Sequence, residues 1–155
     1  MSVAKFSLVS RLQFSKDGGK NYDNLIIPRR ATTNSAGYDF FASCDIVLGK
    51  NQKVFVPSGI RVKLKSNYML LLLPKSGLGA KFDLKLANTV GLIDADYFNA
   101  DNQGHIIVAL CNGEQELTIK QGQAFVQGVI VRYYKAQESN VKTKRKGGFG
   151  STQKS

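Results

Sequence analysis

Runs with the two-residue period of a β-strand recur along this chain, and helical periodicity is almost absent. The clearest run is 60–65 (IRVKLK), in which alternating residues form one apolar and one basic face. Other strand-like runs, separated by turn residues, lie at positions 54–56, 68–73, 105–110, 117–119 and 125–134. This spacing predicts an all-β fold, a jelly-roll-like barrel or sandwich of short antiparallel strands. A helical turn is expected only at 81–86, and 99–104 is expected to be a polar loop.

The length of 155 residues fits one domain with a core of its own. We expect a β domain over 1–134 and, because the apolar pattern then fades, a flexible basic arm over 135–155. No run approaches the ~20 apolar residues of a membrane span, and basic residues near the start interrupt any signal peptide. Cys44 and Cys111 are far apart and are interpreted as reduced, buried packing residues. These features favour a cytoplasmic protein of a bacterium or of a phage-infected cell.

The net charge of +11 favours a polyanionic partner. From position 135 onward, six basic residues stand against one acidic residue, so this segment carries +5 of that charge. Nonspecific attraction to nucleic acid is therefore expected. A dedicated nucleic-acid reader is not expected, because the chain has no recognition-helix pattern and its aromatic residues do not alternate with the basic run.

The basic run 142–146 leads into a segment, 147–152 (GGFGST), that is typical of a phosphate-binding loop. Glycines let consecutive backbone N–H groups face one anion. Basic and hydroxyl side chains add charge and donors suited to a polyphosphate. Phe149 is a lone aromatic among glycines and is free to stack on a flat ring. The segment therefore predicts a lid over a nucleotide, with a floppy, solvated tail as the alternative.

Four further segments carry more polar chemistry than an ordinary turn needs: 31–39, 74–78, 88–97 and 122–127. Singly, each is as well explained as a structural turn. In this order and spacing, together with the glycine-rich tail, they resemble the five motifs of the homotrimeric dUTP nucleotidohydrolases (dUTPases). The resemblance runs from about residue 25 to residue 152. Its most specific parts are 35–39 (SAGYD), 91–97 (GLIDADY) and 147–152 (GGFGST).

The resemblance implies a jelly-roll-like β fold in which three chains share three active sites. It also implies that the C-terminal arm of one subunit closes over a site built by the others. The implied reaction is the hydrolysis of dUTP to dUMP and pyrophosphate, with Mg²⁺ on the triphosphate. Such a reaction limits uracil incorporation into DNA and supplies dUMP for thymidylate synthesis.

The segment 88–97 matches the nucleoside end of the dUTPase site. Asp94 matches the acid that activates the attacking water, a task that needs a carboxylate within hydrogen-bond reach. Tyr97 matches the aromatic ring under the deoxyribose, where close packing excludes a 2′-hydroxyl. Asn88 matches the amide that reads uracil together with backbone groups of the same hairpin, among them Gly91. Asp96 is expected on the opposite face from Asp94 if the segment is extended.

The other motifs match the triphosphate end of the site. The residues that match phosphate contacts are Lys75, Ser76, Gly77 and Gln127. Asp39 matches an acid in the outer shell of the Mg²⁺ ion, which it reaches through water. The matching residues of the arm are Lys144, Arg145, Phe149, Gly150, Ser151 and Thr152. Arginine is usual in the family where Lys75 and Ala124 stand, so these two positions depart from the pattern.

Two further departures concern the third and fifth motifs. The stretch 98–104 is an insertion after the tyrosine of the third motif. In the arm, Lys144 stands where an arginine is usual, next to Arg145, and the sequence does not decide which of them reaches the γ-phosphate. His105, the only histidine, follows the insertion and is interpreted as a satisfied residue at the surface or at a strand edge.

Two alternatives stay open on the sequence alone. A dCTP deaminase of the same fold would need a different acid–base glutamate and a site that reads an amino group. A β-fold binding or regulatory protein with residual dUTP binding would keep the fold without turnover. A protein partner with a regulatory role also stays open for an active enzyme.

Overall fold

The computed structural model describes residues 2–137 and 144–149. In that part of the chain, twelve β-strands alternate with two short α-helices and two 3₁₀ turns. The strands are β1 (Ala4–Leu8), β2 (Arg29–Arg30), β3 (Tyr38–Phe41), β4 (Ile46–Leu48), β5 (Lys53–Pro57), β6 (Ile60–Leu64), β7 (Tyr68–Pro74), β8 (Lys85–Leu86), β9 (Gly91–Ile93), β10 (Ile107–Cys111), β11 (Leu117–Ile119) and β12 (Ala124–Arg132). The helices are α1 (Arg11–Lys16) and α2 (Ser76–Phe82), and the 3₁₀ turns are Tyr22–Asn24 and Ala95–Asn99.

All strand pairs are antiparallel, and they form four sheets. The largest sheet has the strand order β2-β3-β12-β7-β9, and the second has the order β5-β10-β8. Two-stranded sheets join β1 to β6 and β4 to β11. Within the described residues no sheet closes on itself. The predicted all-β, jelly-roll-like fold is confirmed, with open sheets in place of a closed barrel.

Apolar side chains from all four sheets meet in one core. The predicted alternation of 60–65 is confirmed in β6, where the apolar residues are buried and Lys63 is exposed. The most apolar run of the sequence forms β7, which lies between β12 and β9 and buries Leu70 and Leu72. Among the described residues, no helix has the length and apolar character needed to cross a membrane.

The helices differ from the expectation of a single helical turn at 81–86. Helix α2 begins upstream of that range and ends where Asp83 adopts a left-handed backbone conformation (φ 54°). The sequence does not predict α1, because its six residues are fewer than two turns and show no helical period. Helix α1 is nevertheless well anchored: the Ser10 hydroxyl accepts a hydrogen bond from the Gln13 N–H at 3.1 Å, and Phe14 is buried.

Two expectations about single side chains are also corrected. His105 is fully buried and not at the surface, because both of its ring nitrogens find hydrogen-bond partners inside the protein. Cys44 and Cys111 are free thiols, but they are half-buried and not buried. Neither result changes the fold class.

Strand β12 ends at Arg132, close to the predicted boundary between the domain 1–134 and the arm 135–155. Of the arm, the structure describes 135–137 and 144–149. The division into domain and arm stays a prediction.

Candidate active site

A cavity of about 230 Å³ opens between strands β7 to β10 and the segment 144–149. Its floor is apolar and includes Leu72, Leu86 and Val108. The predicted site residues that line it are Asn88, Gly91, Tyr97, Arg145 and Phe149. A mostly apolar cavity with a few polar groups at fixed positions is the usual form of a small-molecule site.

The hairpin between β8 and β9 forms one wall of this cavity. Asn88 lies exposed in its turn and is followed by Thr89 in a left-handed conformation (φ 65°). Gly91 pairs with Leu72 across the β9–β7 ladder, and a Cβ atom at Gly91 would lie 2.9 Å from Cβ of Leu72. A side chain at position 91 would therefore push β9 away from the cavity floor, which gives this glycine a packing role.

Tyr97 lies in the 3₁₀ turn Ala95–Asn99 and is 7% exposed. Its hydroxyl donates to the backbone oxygen of His105 at 2.8 Å and accepts from Nδ2 of Asn102 at 2.9 Å. Burial raises the pKa of the Tyr97 hydroxyl, and the hydrogen bond from Asn102 opposes this shift. Hydrogen bonds in both directions hold the neutral phenol in one position at the cavity wall.

Asp94 directly precedes that 3₁₀ turn, and its Oδ2 accepts a hydrogen bond from Nη1 of Arg145. Asp94 lines a separate shallow depression, and the Arg145 side chain links this depression to the cavity. Because the backbone turns at Ala95–Asn99, Asp96 does not face away: its Oδ1 lies 3.9 Å from the same Nη1 of Arg145. The expectation of opposite faces required an extended segment, and it is wrong for this reason.

The described part of the arm, 144–149, lies over the cavity of its own chain. The Arg145 side chain is 19% exposed, and its guanidinium carbon lies 5.3 Å from the centroid of the Tyr97 ring. Its Nε donates to the backbone oxygen of Gly147 at 3.0 Å. Lys144 is exposed. The geometry therefore favours Arg145 over Lys144 as the cation of the site, a choice that the sequence leaves open.

Gly148 and Phe149 continue the arm across the cavity. A Cβ atom at Gly148 would lie 3.4 Å from the hydroxyl oxygen of Tyr97, so the backbone passes close to that side chain. Phe149 packs edge-on against Phe55 with ring centroids 5.8 Å apart, and it is 63% exposed. Much of its ring is thus accessible to a planar ligand. Three predicted residues lie outside the described part of the chain: Gly150, Ser151 and Thr152.

The remaining predicted residues meet at the other end of β7, in a second polar cluster. Nζ of Lys75 lies 2.8 Å from Oδ1 of Asp39, and both side chains are largely buried. Gln127 stands opposite Asp39 in the β12–β3 ladder and donates from Nε2 to a backbone oxygen of β7 at 3.4 Å. Ser76 and Gly77 open helix α2 directly after Lys75 and are exposed.

The length of β7 separates this cluster from Asp94. Ile93, next to Asp94, pairs with Leu70, whereas Lys75 follows the last residue of the strand. The five steps along the chain from Leu70 to Lys75, at about 3.3 Å each, put about 17 Å between the two ends. A single chain therefore does not bring Asp94 together with the Lys75 cluster.

The oxygen donors of the second cluster fit a cation that is held mainly by other ligands. Among the described residues, no group of three or more histidine, cysteine or carboxylate side chains is placed to hold a metal ion. Mg²⁺ keeps several waters and is often bound by one or two carboxylates plus substrate phosphates. Asp39, whose Oδ1 is engaged by Lys75, fits a contact to such an ion through water.

The sequence does not indicate the partners of Tyr97 and Phe149. Asn102, which donates to the Tyr97 hydroxyl, lies in the insertion 98–104. His105 accepts from that hydroxyl through its backbone oxygen, and neither residue belongs to a motif. Phe55, the partner of Phe149, is only weakly indicated as a contact residue. It is an aromatic residue at an outward position of β5 and is 58% exposed.

The structure defines an all-β protein with a small-molecule cavity, in which an apolar floor meets an accessible aromatic ring, Phe149, and a cation, Arg145. The chain belongs to the dUTPase family, whose sequence model matches residues 23–153. A deoxyuridine 5'-triphosphate nucleotidohydrolase of Lactococcus lactis is 34% identical over 156 residues, covering 98% of this chain and 99% of the relative. The enzyme of that name from Neisseria meningitidis is 39% identical over 136 residues, covering 82% of this chain and 87% of the relative.

Solved structures of dUTPases share the fold. The dUTPase of Streptococcus mutans has a TM-score of 0.71 at 30% identity, covering 86% of this chain and 98% of that chain. The dUTPase of Staphylococcus bacteriophage 80alpha with dUPNHPP has a TM-score of 0.70 at 22% identity, covering 97% and 98%. A mutant dUTPase of S. aureus phage phi11, which coordinates a structural Mg(II) ion, has a TM-score of 0.69 at 21% identity, covering 92% and 98%. At such identities the two phage proteins support the fold alone.

Proposed function

We propose that this protein is a dUTP diphosphatase, which hydrolyses dUTP to dUMP and pyrophosphate. The observation that carries this proposal is the cavity in which Asn88, Gly91 and Tyr97 meet beside Asp94. The relatives reported above are named as dUTP nucleotidohydrolases, which argues against a dCTP deaminase. The reaction limits uracil incorporation into DNA and supplies dUMP for thymidylate synthesis.

The nucleoside end is recognised by hydrogen bonds and by shape. The Asn88 amide offers uracil one hydrogen-bond donor and one acceptor. Backbone groups of the same hairpin supply the other hydrogen bonds to the base. Cytosine would present the wrong donor pattern and would leave polar groups unpaired. The fixed ring of Tyr97 packs against the sugar and leaves no room for a 2′-hydroxyl.

The chemical step is assigned to Asp94. Its side chain is 38% exposed, so that the carboxylate reaches water. The carboxylate orients a water molecule toward the α-phosphorus and takes its proton as the new P–O bond forms. The bond from the α-phosphorus to the bridging oxygen then breaks, and pyrophosphate leaves. A triphosphate offers Arg145 a more highly charged partner than Asp94, so substrate binding releases the carboxylate for this task.

The triphosphate end is assigned to the second cluster. Mg²⁺, when bound, neutralises charge on the triphosphate and stabilises the leaving pyrophosphate. Asp39 would hold this ion through water. The residues assigned to phosphate contacts are Lys75, Ser76, Gly77 and Gln127, and in the arm Arg145, Gly150, Ser151 and Thr152.

A homotrimer with shared sites is proposed because one chain holds the two ends of the site apart. Asp94 and Lys75 lie at opposite ends of β7, about 17 Å apart, which favours a site in which the residues that contact one nucleotide come from different chains. Phosphate contacts from one subunit then complete the nucleoside cavity of another. The arm, which lies over the cavity of its own chain in this structure, would close over a neighbour's cavity in the trimer.

Release of pyrophosphate from dUTP, with dCTP, dTTP and UTP as controls, tests the function directly. We expect turnover of dUTP and little of the other three. Comparable kcat/KM for dUTP and UTP would contradict the role of Tyr97, and preference for dCTP with ammonia release would indicate a deaminase. Light scattering should give a mass near three times 17.0 kDa.

Complementation tests the shared site more sharply than mass alone. The variant Asp94→Asn keeps an intact arm, and a chain that lacks 142–155 keeps an intact Asp94. The two chains are co-expressed with different tags and purified through both tags. If the arm serves a neighbouring subunit, the mixed oligomer regains activity. If each arm serves its own chain, the mixture stays as inactive as its parts.

We place the enzyme in the cytoplasm, because its substrate belongs to the cellular nucleotide pool. The charge of +11 supports an additional, nonspecific attraction to nucleic acid. Such binding should weaken steeply as salt is added, whereas dUTP turnover should depend less on salt.

A further inference from the structure

His105 is fully buried although it belongs to none of the motifs. Its Nδ1 lies 2.6 Å from Oδ2 of Asp17, the residue that ends helix α1. On the other side of the ring, the N–H of Gly59 donates to Nε2 at 2.8 Å. Because Nε2 faces a donor, the proton of the neutral ring is on Nδ1 and is donated to Asp17.

The surroundings keep His105 in this neutral form. Burial lowers the pKa of the imidazole, and the Asp17 carboxylate opposes that shift. The Phe14 ring packs against it with centroids 5.9 Å apart. A second ring proton would turn Nε2 into a donor that faces the Gly59 N–H. The imidazole is therefore a fixed link between the end of α1 and the start of β6.

This link continues to Tyr97 through one backbone oxygen. The His105 carbonyl accepts from the Tyr97 hydroxyl at 2.8 Å and from Nδ2 of Asn102 at 3.2 Å. The same Asn102 nitrogen donates to the Tyr97 oxygen at 2.9 Å. Since the carbonyl and the ring belong to the same residue, anchoring the ring on Asp17 also fixes the acceptor that orients Tyr97.

Helix α1 holds the insertion 98–104 at a second point. The Ser10 N–H donates to Oε1 of Gln103 at 2.9 Å, and Nε2 of Gln103 donates to the Ser10 hydroxyl at 3.0 Å. Gly104 then closes the turn with φ 72°, and a Cβ atom there would lie 2.7 Å from the backbone oxygen of Tyr97. The insertion is thus clamped between α1 and the Tyr97 segment.

We propose that Asp17 and His105 are positioning residues for Tyr97, and that through Tyr97 they set how strongly the site rejects a ribonucleotide. This inference rests on the proposed function, in which Tyr97 packs under the deoxyribose. A ring that is free to shift no longer excludes a 2′-hydroxyl, whereas dUTP, which lacks that group, still fits. Loss of the anchor therefore reduces selectivity more than it reduces dUTP turnover.

The test compares Asp17→Ala with the conservative variant Asp17→Asn. Alanine removes the acceptor for the His105 Nδ1–H, and asparagine keeps one oxygen that accepts it. The ratio of kcat/KM for dUTP to that for UTP is measured in one preparation, so that any unfolded fraction cancels. We expect the ratio to fall roughly tenfold in Asp17→Ala and to stay within about threefold of wild type in Asp17→Asn.

Ile119→Val is the control for lost stability. It shortens a fully buried side chain in β11, which pairs with β4 and not with the strands around the cavity. This variant should lower Tm with no change in the ratio. An unchanged ratio in Asp17→Ala would overturn the inference and leave the pair a purely structural role. If Asp17→Ala does not fold, His105→Gln replaces it, because it removes the imidazole that joins Asp17 to Gly59 and must lower the ratio as well.

Failure of the proposed function is visible separately. If the wild-type protein releases no pyrophosphate from dUTP, the proposed function is contradicted. That result does not contradict the anchoring of Tyr97. Amide hydrogen exchange over 95–104 then decides the anchoring on its own. Exchange in this segment must be faster in Asp17→Ala than in Asp17→Asn and Ile119→Val, and equal rates would overturn the inference.

Discussion

Asp94→Asn is the sharpest test of the active site, because the chain offers a matched control two positions away. Asp94→Asn removes one negative charge from the residue that precedes the 3₁₀ turn, and Asp96→Asn removes one from within that turn. Asp94 accepts a hydrogen bond from Arg145, whereas Asp96 lies 3.9 Å from that guanidinium and its side chain is 61% exposed. We expect turnover to collapse in the first variant and to persist in the second.

The size of the effect follows from the two roles of the Asp94 carboxylate, as a base and as the ion-pair partner of Arg145. Asparagine keeps the shape of Asp94 but lacks a base for the attacking water, which costs roughly 10²–10⁴ in kcat, or about 3–5 kcal/mol. The lost ion pair with Arg145 adds little, because a partly exposed pair contributes at most about 1 kcal/mol. We therefore expect kcat to fall at least about a hundredfold while KM changes less than about tenfold. Asp96→Asn should change kcat by less than about threefold.

Two measurements separate the base from the ion pair. Pyrophosphate release at saturating dUTP gives kcat for each variant, and calorimetric titration with a non-hydrolysable dUTP analogue and Mg²⁺ gives the affinity. Turnover by Asp94→Asn within a few-fold of wild type would refute the role of Asp94 as the base. Equal damage in Asp96→Asn would show that lost charge, and not lost basicity, causes the effect.

Further variants and a change of pH probe three features of the protein: the arm, the cavity floor and the buried histidine. Deleting 142–155 should leave Tm within a few degrees of wild type but lower kcat/KM by orders of magnitude, and Phe149→Ala should show a milder loss in the same pyrophosphate assay. Gly91→Ala should cost about 1–3 kcal/mol in urea unfolding, since its Cβ would press on Leu72, and should raise KM for dUTP. Burial lowers the pKa of His105, so below pH ~6.5 the unfolded chain takes up a proton that the folded chain refuses. The free energy of unfolding should fall as the pH drops below this value, by at most about 1.4 kcal/mol per pH unit, and His105→Gln should flatten the dependence seen in urea unfolding.

The strands are predictable from the sequence because alternation is a local property. The residues 60–65 show it, and β6 forms there. Helix α1 is not predictable in this way, because it depends on the Ser10 cap and on burial of Phe14 against residues distant in the sequence. Helix α2 is equally hard to predict from the sequence, since its seven residues bury only Leu78 and so show no helical period.

The candidate site is predictable where its residues share a contiguous motif. Asp94 and Tyr97 belong to one short segment; Tyr97 lines the cavity, and Asp94 lines the adjoining depression. The contact between Asp17 and His105 spans 88 positions, and neither residue stands in a recognisable pattern. The direction of the Asp96 side chain depends on a 3₁₀ turn. The alternation rule for an extended strand does not predict such a turn.

The length of β7 also determines how activity should depend on protein concentration. Each chain carries the cavity that is proposed to hold the nucleoside but keeps Lys75 about 17 Å from Asp94. Local rearrangement cannot close this distance, because β7 is hydrogen-bonded to β12 on one side and to β9 on the other. In the proposed shared site, a complete site needs association of chains, which follows mass action. Specific activity toward dUTP should fall as the protein is diluted toward the dissociation constant of the assembly. Binding of dUMP, which needs only the nucleoside cavity, should persist at the same dilution, and loss of both together would show that the cavity itself depends on a second chain.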